Sequence, residues 1–200
     1  MNPGVDESKR ATLRRFAALG AVGSLARALD DSPGDSDARE AIAGYLQTTP
    51  GAHFSKVRDD LGLGTGETQH HVRRLLDAGV IESRRDGDYR RFYPARHFSG
   101  FEQVALGYLR RATPRGMVIE LLRNPGASGS ELAAALDVSA PTISRYATEL
   151  ADAGLLVSDD GYRLVDSETI LLLLVRYADS FDDEAVALAA EAADLISLDG

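Results

Sequence analysis

One paragraph of this chain is written twice. Pro50-Gly51-Ala52 through Val80-Ile81 aligns without a gap, at an offset of 75 residues, with Pro125-Gly126-Ala127 through Leu155-Leu156. Leu61 falls on Leu136, Leu63 on Val138, Leu75 on Leu150, and Asp77-Ala78-Gly79 on Asp152-Ala153-Gly154. Each copy then runs into a short hairpin around a glycine, Asp86-Gly87-Asp88 in the first and Asp159-Asp160-Gly161 in the second. A period above roughly 50 residues is too long for a solenoid unit. The chain is therefore expected to fold as two small domains of one kind, and a length of 200 residues suits that.

Hydrophobic periodicity and turn signals order the elements of each copy. In the first, an Ala/Ile/Tyr/Leu pattern predicts a helix over Ala38 to Gln47, stopped by Thr48-Thr49-Pro50-Gly51. A second helix is expected over Phe54 to Leu61, a turn at Gly62-Leu63-Gly64, and a third helix from its cap Thr65 to Ala78 with Gly79 as its stop. Val80 to Arg85 and Tyr89 to Tyr93 then read as a two-stranded hairpin. The second copy repeats the order: Arg115 to Arg123, Ser130 to Leu136, a third helix capped by Ser139 with Pro141 in its first turn and stopped by Gly154, then Leu155–Val157 with Tyr162–Val165. Phe101, Val104, Ala105, Tyr108 and Leu109 share one helical face and predict a helix between the copies. Ile170 to Val175, Tyr177, Val186, Leu188, Leu195 and Ile196 predict amphipathic C-terminal helices that cover the second domain or pair with another subunit.

The domain map that follows has five parts: an N-terminal segment, residues 1–36, helical or partly disordered; a first domain, 37–98; a connecting helix, 99–113; a second domain, 114–166; and C-terminal helices, 167–200. The fold class is mainly α with small β-hairpins. Residues Asp30 to Asp37 read as a linker or exposed turn. Arg14-Arg15-Phe16 through Gly23 resembles a twin-arginine export signal. However, the arginines run straight into Phe16 and Arg27 interrupts a short apolar core, so an amphipathic helix is the better reading. No stretch is long enough to span a bilayer.

The net charge of −9 is awkward for a nucleic-acid binder until it is divided along the chain. Residues 53–98 carry +2 and 99–116 carry +2, whereas 117–166 carry −5 and 167–200 carry −7. Docking depends on the local field, so the first copy is free to meet phosphates. Of 22 cations only Lys9 and Lys56 are lysine, and the acids are mostly aspartate. This Asp-rich, Lys-poor balance resembles proteins of salt-in halophiles, in which a negative total serves solubility. The absence of cysteine removes disulfides, thiolate zinc sites and cysteine nucleophiles.

In such a unit the third helix is the one that fits a major groove. Thr68, Val72 and Leu75 form its inner face in copy one. That leaves Thr65, Glu67, Gln69, His70, Arg73 and Arg74 as candidate contacts, with Gln and Arg suited to bidentate bonds with adenine and guanine. In copy two Ile143, Ala147 and Leu150 point inward, and Thr142, Ser144 and Arg145 are the outer candidates. The first hairpin carries Arg84, Arg85, Arg90 and Arg91, with Arg96 nearby and Tyr89, Phe92 and Tyr93 interleaved. Such a strip suits a phosphate backbone. The alternative is that Arg84 and Arg85 merely pair with Glu82, Asp86 or Asp88. The second hairpin sets Asp159, Asp160 and Asp166 against Arg163, which favours a packing or dimerisation role for copy two.

Ser139-Ala140-Pro141-Thr142-Ile143-Ser144-Arg145-Tyr146 followed by Leu150-Ala151-Asp152-Ala153-Gly154-Leu155-Leu156 resembles the recognition helix of MarR/ArsR-type winged-helix regulators. Pro50-Gly51-Ala52-His53-Phe54 with Gln69-His70-His71-Val72-Arg73-Arg74-Leu75 is similar to archaeal, particularly haloarchaeal, tandem winged helix-turn-helix regulators. The resemblance covers residues about 38–166. It implies a cytoplasmic, sequence-specific transcriptional regulator of double-stranded DNA, a repressor by default, that forms a homodimer through the second domain and the C-terminal helices. A winged-helix interaction adaptor, such as an ScpB-like chromosome-condensation subunit, is the alternative. ArsR-type sensors often bind metals, but His53, His70, His71 and His97 lack the spacing and the partners of a site, and neither metal nor cofactor is expected. No GxSxG, HExxH or paired-acid pocket suggests an enzyme.

Overall fold

The computed structural model describes residues 11–18, 33–159 and 161–198. It divides into two compact units, Met1–Ser99 and Gly100–Gly200. Each is mainly helical with one small antiparallel sheet.

The first unit begins with helix α1 over residues 11–18. Its Leu13 and Phe16 pack against the core, and the Phe16 ring meets Tyr45 edge-on at 5.3 Å. Gly20–Gly23 of the signal-like run lies outside the described residues. Helix α2, Pro33–Thr48, starts within the stretch expected to be a linker. The signal was Pro33: a proline that ends a coil also suits the first turn of a helix, where its missing N–H costs nothing. Asp30 to Ser32 of that stretch are outside the described residues.

Helices α3, Phe54–Leu61, and α4, Thr65–Asp77, complete the trihelical core. Ala41, Ile42, Leu46, Val57, Leu61 and Leu75 are buried together there. The turn between α3 and α4 is held by Gly62 at φ 62°, a left-handed cap that glycine takes without a Cβ penalty. Strands β1, Ala52–His53, β2, Ile81–Asp86, and β3, Tyr89–Pro94, form a sheet in the order β1-β3-β2. The wing is the β2–β3 hairpin, in which Arg84 opposes Arg91 and Arg85 opposes Arg90.

The second unit opens with α5, Gly100–Leu109, and α6, Ala112–Arg123. Helix α5 packs against α6 and against a later helix, α9, so it is an integral part of this unit. The repeat then returns as α7, Gly129–Ala135, and α8, Ala140–Asp152. Both α4 and α8 have 13 residues, with buried Thr68, Val72 and Leu75 answered by Ile143, Ala147 and Leu150. The left-handed turn recurs too, but Asp137 at φ 50° stands where copy one has Gly62.

The second hairpin pairs β4, Leu156–Asp159, with β5, Gly161–Leu164; Asp160 is outside the described residues. Helices α9, Ser167–Arg176, and α10, Asp183–Leu198, follow. Arg115 ion-pairs with Asp182, and Arg123 bonds Glu191 at 2.8 Å, which pins α10 to α6. Ile170, Leu173, Leu174, Ala185 and Leu188 are buried, so the C-terminal helices cover the second domain. Leu172 stays 62 % exposed; the side chains of Leu195 and Ile196 lie outside the described residues.

Candidate nucleic-acid interface

Helix α4 owes its orientation to its inner face. Thr68, His71, Val72 and Leu75 are buried, and Thr68 also donates its hydroxyl to the carbonyl of Gly64 at 2.9 Å. Their spacing leaves Thr65, Gln69 and Arg73 exposed in a row at i, i+4, i+8, with His70 exposed on the adjoining face. His71 is fully buried, one side of its ring meeting His70 at 5.2 Å. Arg74 is half-buried; it lies near buried Arg39, whose pKa is lowered first by burial and then by this neighbouring charge.

Two residues expected to contact DNA have other tasks. The cap of α4 is Gly64, not Thr65, and Glu67 closes a capping box by accepting the Gly64 N–H at 3.0 Å. A carboxylate there satisfies an orphan donor and suits the positive end of the helix dipole. Arg91 is buried, at 2 % exposure. It ion-pairs with Asp86, donates to the Gly51 carbonyl at 3.0 Å and lies over the Tyr89 ring at 5.5 Å. A guanidinium spent in this way is not on offer to a phosphate. The sequence signal was parity: in a β-strand neighbouring arginines face opposite ways, so Arg90 and Arg91 never shared a face.

The two faces of the wing therefore differ. One is a structural knot of Arg91, Asp86 and Tyr89, joined by His53, whose ring lies 5.0 Å from that of Tyr89. His53 also caps α3, its Nδ1 accepting the Lys56 N–H at 3.4 Å. Burial foremost, then the charges of Arg91 and Lys56, hold its pKa below the ordinary histidine value. The other face carries Arg85 and Arg90 side by side. Arg90 donates its Nε–H to Ser83 Oγ at 2.9 Å and stacks over Phe92 at 5.7 Å. Arg84 and Arg85 are exposed, and among the described residues no carboxylate pairs with either. Asp86, one of their anticipated partners, is held by Arg91 instead. Cationic pairs set directly across a strand pair repel one another, a cost that an anionic partner removes.

This face of the wing and the exposed row of α4 line one cleft, with Gln69 and Arg73 on one side and Arg90 on the other. Arg96 and His97 are exposed after β3. The site residues of the second unit are arranged differently. Arg145 is exposed but bonds Glu149 at 2.8 Å and lies over the Tyr146 ring at 4.0 Å. Thr142 is half-buried and shares a hydrogen bond with Ser139, the cap of α8. Ser144 is exposed, its carbonyl accepting from Thr148. Tyr108, near which a ligand might have been sought, bonds the Glu149 carbonyl at 3.0 Å. Among the described residues there is no group of three or more side chains able to hold a metal, and no helix long and apolar enough to cross a membrane.

A trihelical core, a hairpin wing and an outward-facing third helix, repeated in sequence, define tandem helix-turn-helix domains of the winged kind. Comparison with known families agrees: residues 36–106 match a family described as an N-terminal HTH domain, and residues 110–157 match one described as winged helix-turn-helix DNA-binding. Among curated proteins the chain is similar to an uncharacterized HTH-type transcriptional regulator of Methanocaldococcus jannaschii, 27 % identical over 131 residues. That alignment takes in 65 % of this chain and 33 % of the archaeal protein, so the chain spans about a third of its relative's length.

Proposed function

We propose that the protein is a sequence-specific DNA-binding transcriptional regulator that reads its site through the first unit. In this reading α4 enters the major groove, Gln69, His70 and Arg73 meet base edges, and Thr65 meets a phosphate at the helix start. Arg84, Arg85 and Arg90 of the wing hold the flanking backbone. The observation that carries the proposal is the shared cleft in which the exposed Gln69 and Arg73 face Arg90. The HTH-type relative supports the regulatory role. Occupying a promoter blocks polymerase, so repression is the proposed sign and the cytoplasm the proposed compartment.

Copy two belongs to a DNA-binding type by its family match, yet its Arg145 is already paired and its surroundings are acidic. We therefore assign the second unit and the C-terminal helices to homodimerisation, with the exposed Leu172 and Val175 on α9 as contacts. Two-fold pairing requires a pseudo-palindromic operator. Selection of bound sequences from a random DNA pool tests this directly. Two inverted half-sites are expected for the wild type, and Gln69→Ala relaxes the preference at one position of each half-site. An enriched pool without a common motif contradicts sequence-specific reading.

A further inference from the structure

The cleft between α4 and the wing is more enclosed than a groove surface requires. Its volume is about 650 Å3, within the range of small-molecule sites, roughly 300–1,000 Å3. The floor is apolar: Phe54, Val72, Leu76 and Phe92. Val72 and Phe92 are buried, whereas Phe54 and Leu76 are only half-buried and leave hydrocarbon facing water. The rim carries Arg73 and Arg90 with Gln69 between floor and solvent, and one acid, Asp77.

We propose that this cleft binds a small amphipathic anion, a flat or branched apolar body bearing one carboxylate or sulfonate. The apolar body is called for by the floor. The anion is called for by the rim, where two guanidinium groups outnumber one carboxylate. Arg73 has no hydrogen bond or ion pair among the described residues, and Arg90 commits only its Nε–H, to Ser83. The remaining N–H groups of a guanidinium form the planar fork that grips a carboxylate or sulfonate. A cation would meet two like charges, and an uncharged body would leave both forks unused.

Binding has a consequence, which rests on the proposed function: a ligand over Gln69 and Arg73 covers the residues that face the bases. The anion and the duplex then compete, and the ligand acts as an inducer.

The test uses the full chain with 1-anilinonaphthalene-8-sulfonate as the probe and uncharged N-phenyl-1-naphthylamine as its neutral counterpart. Fluorescence titration is paired with amide chemical-shift mapping. One saturable site is expected, with shifts at Gln69, Leu76 and Phe92. The double substitution Arg73→Ala/Arg90→Ala weakens the anionic probe about tenfold or more, equivalent to about 1.4 kcal/mol, and the neutral one by less than about twofold. Both arginines are exposed, so the circular dichroism spectrum stays that of wild type. Absence of saturable binding, shifts confined to residues 100–200, or an unaltered affinity in the double variant each overturns the site. Probe binding by a protein that binds no DNA sinks the regulator reading and leaves the site standing. DNA binding without probe binding does the reverse, and simultaneous binding of both overturns the competition.

Discussion

Arg91 is the residue whose role changes most between sequence and structure, and Arg91→Ala measures that change. The guanidinium is buried at 2 % exposure, pairs with Asp86 and bonds the Gly51 carbonyl. Removing one partner of a buried ion pair costs about 3–5 kcal/mol, mostly because the other charge is left without compensation. The Asp86 side chain keeps 15 % exposure, so water recovers part of that, and a loss of about 3 kcal/mol is expected. With a urea dependence of about 1.5 kcal/mol per molar for a small domain, the midpoint of the first unit falls by about 2 M. Arg85→Ala, an exposed side chain one position from Arg84 on the same strand, should stay within about 0.5 kcal/mol of wild type. Urea unfolding followed by far-ultraviolet circular dichroism reads both, and the transition of the second unit should not move. A double variant Arg91→Ala/Asp86→Ala should regain part of the loss, since no unpaired carboxylate remains. Equal midpoints for Arg91→Ala and Arg85→Ala would refute the assignment of Arg91 to the fold.

Four further outcomes are expected. Asp137 holds φ 50° where the first copy has Gly62, so Asp137→Gly should raise the stability of the second unit by about 0.5–1 kcal/mol in the same assay; a loss would mean that its side chain has a use. A Cβ at Gly161 would lie 2.3 Å from the Gly126 carbonyl oxygen, whereas one at Gly87 meets open space although both have positive φ. Gly161→Ala should therefore cost more than the roughly 1 kcal/mol of Gly87→Ala, and equal midpoints would contradict this. The depressed pKa of His53 makes the unfolded chain take up a proton at a higher pH than the folded one. Its contribution is constant above about pH 7, stability declines as pH falls through the unfolded value near 6.5, and the decline ends below the folded pKa. His53→Ser keeps an N-cap acceptor without the titration, so its unfolding midpoint should decline less between pH 7 and 5; parallel curves would exclude the effect. Loss of the capping box in Glu67→Ala should cost about 1 kcal/mol of stability, with DNA affinity changed by less than about twofold, whereas a large affinity loss would return Glu67 to the interface.

The repeat made much of this fold legible. Helices α3 and α4, their αL stops and both hairpins follow from apolar spacing and glycines, because these signals are local. The buried Leu106 of α5 was not among the five residues read as its inner face, since a helix enclosed by α6 and α9 is apolar all round and has no single stripe. Helix α2 reached back to Pro33 because a Pro/Gly/Asp run looks alike as coil and as a helix start. The candidate interface was legible as a set of residue types but not as a partition among them. Glu67 and Arg91 have the same local chemistry as true contacts. Only the capping geometry of α4 and the Asp86–Gly51 pocket, which joins residues 40 apart in sequence, remove them from the interface. Likewise, nothing in the sequence separates the cation of Arg145, held by Glu149 one turn later, from the unpaired Arg73.

The central claim is that the first unit reads DNA with α4 and the exposed arginines of its wing. Fluorescence anisotropy on the DNA upstream of its own coding region, in a potassium chloride series with competitor DNA, tests it most directly. Wild type is compared with Arg84→Ala/Arg85→Ala/Arg90→Ala, which leaves the Arg91 knot intact. The account predicts saturable wild-type binding that survives competitor, and a variant that loses most of its affinity and shows a shallower salt dependence, by about one unit of slope per phosphate contact removed. A variant that binds as wild type does, at every salt concentration, would contradict it.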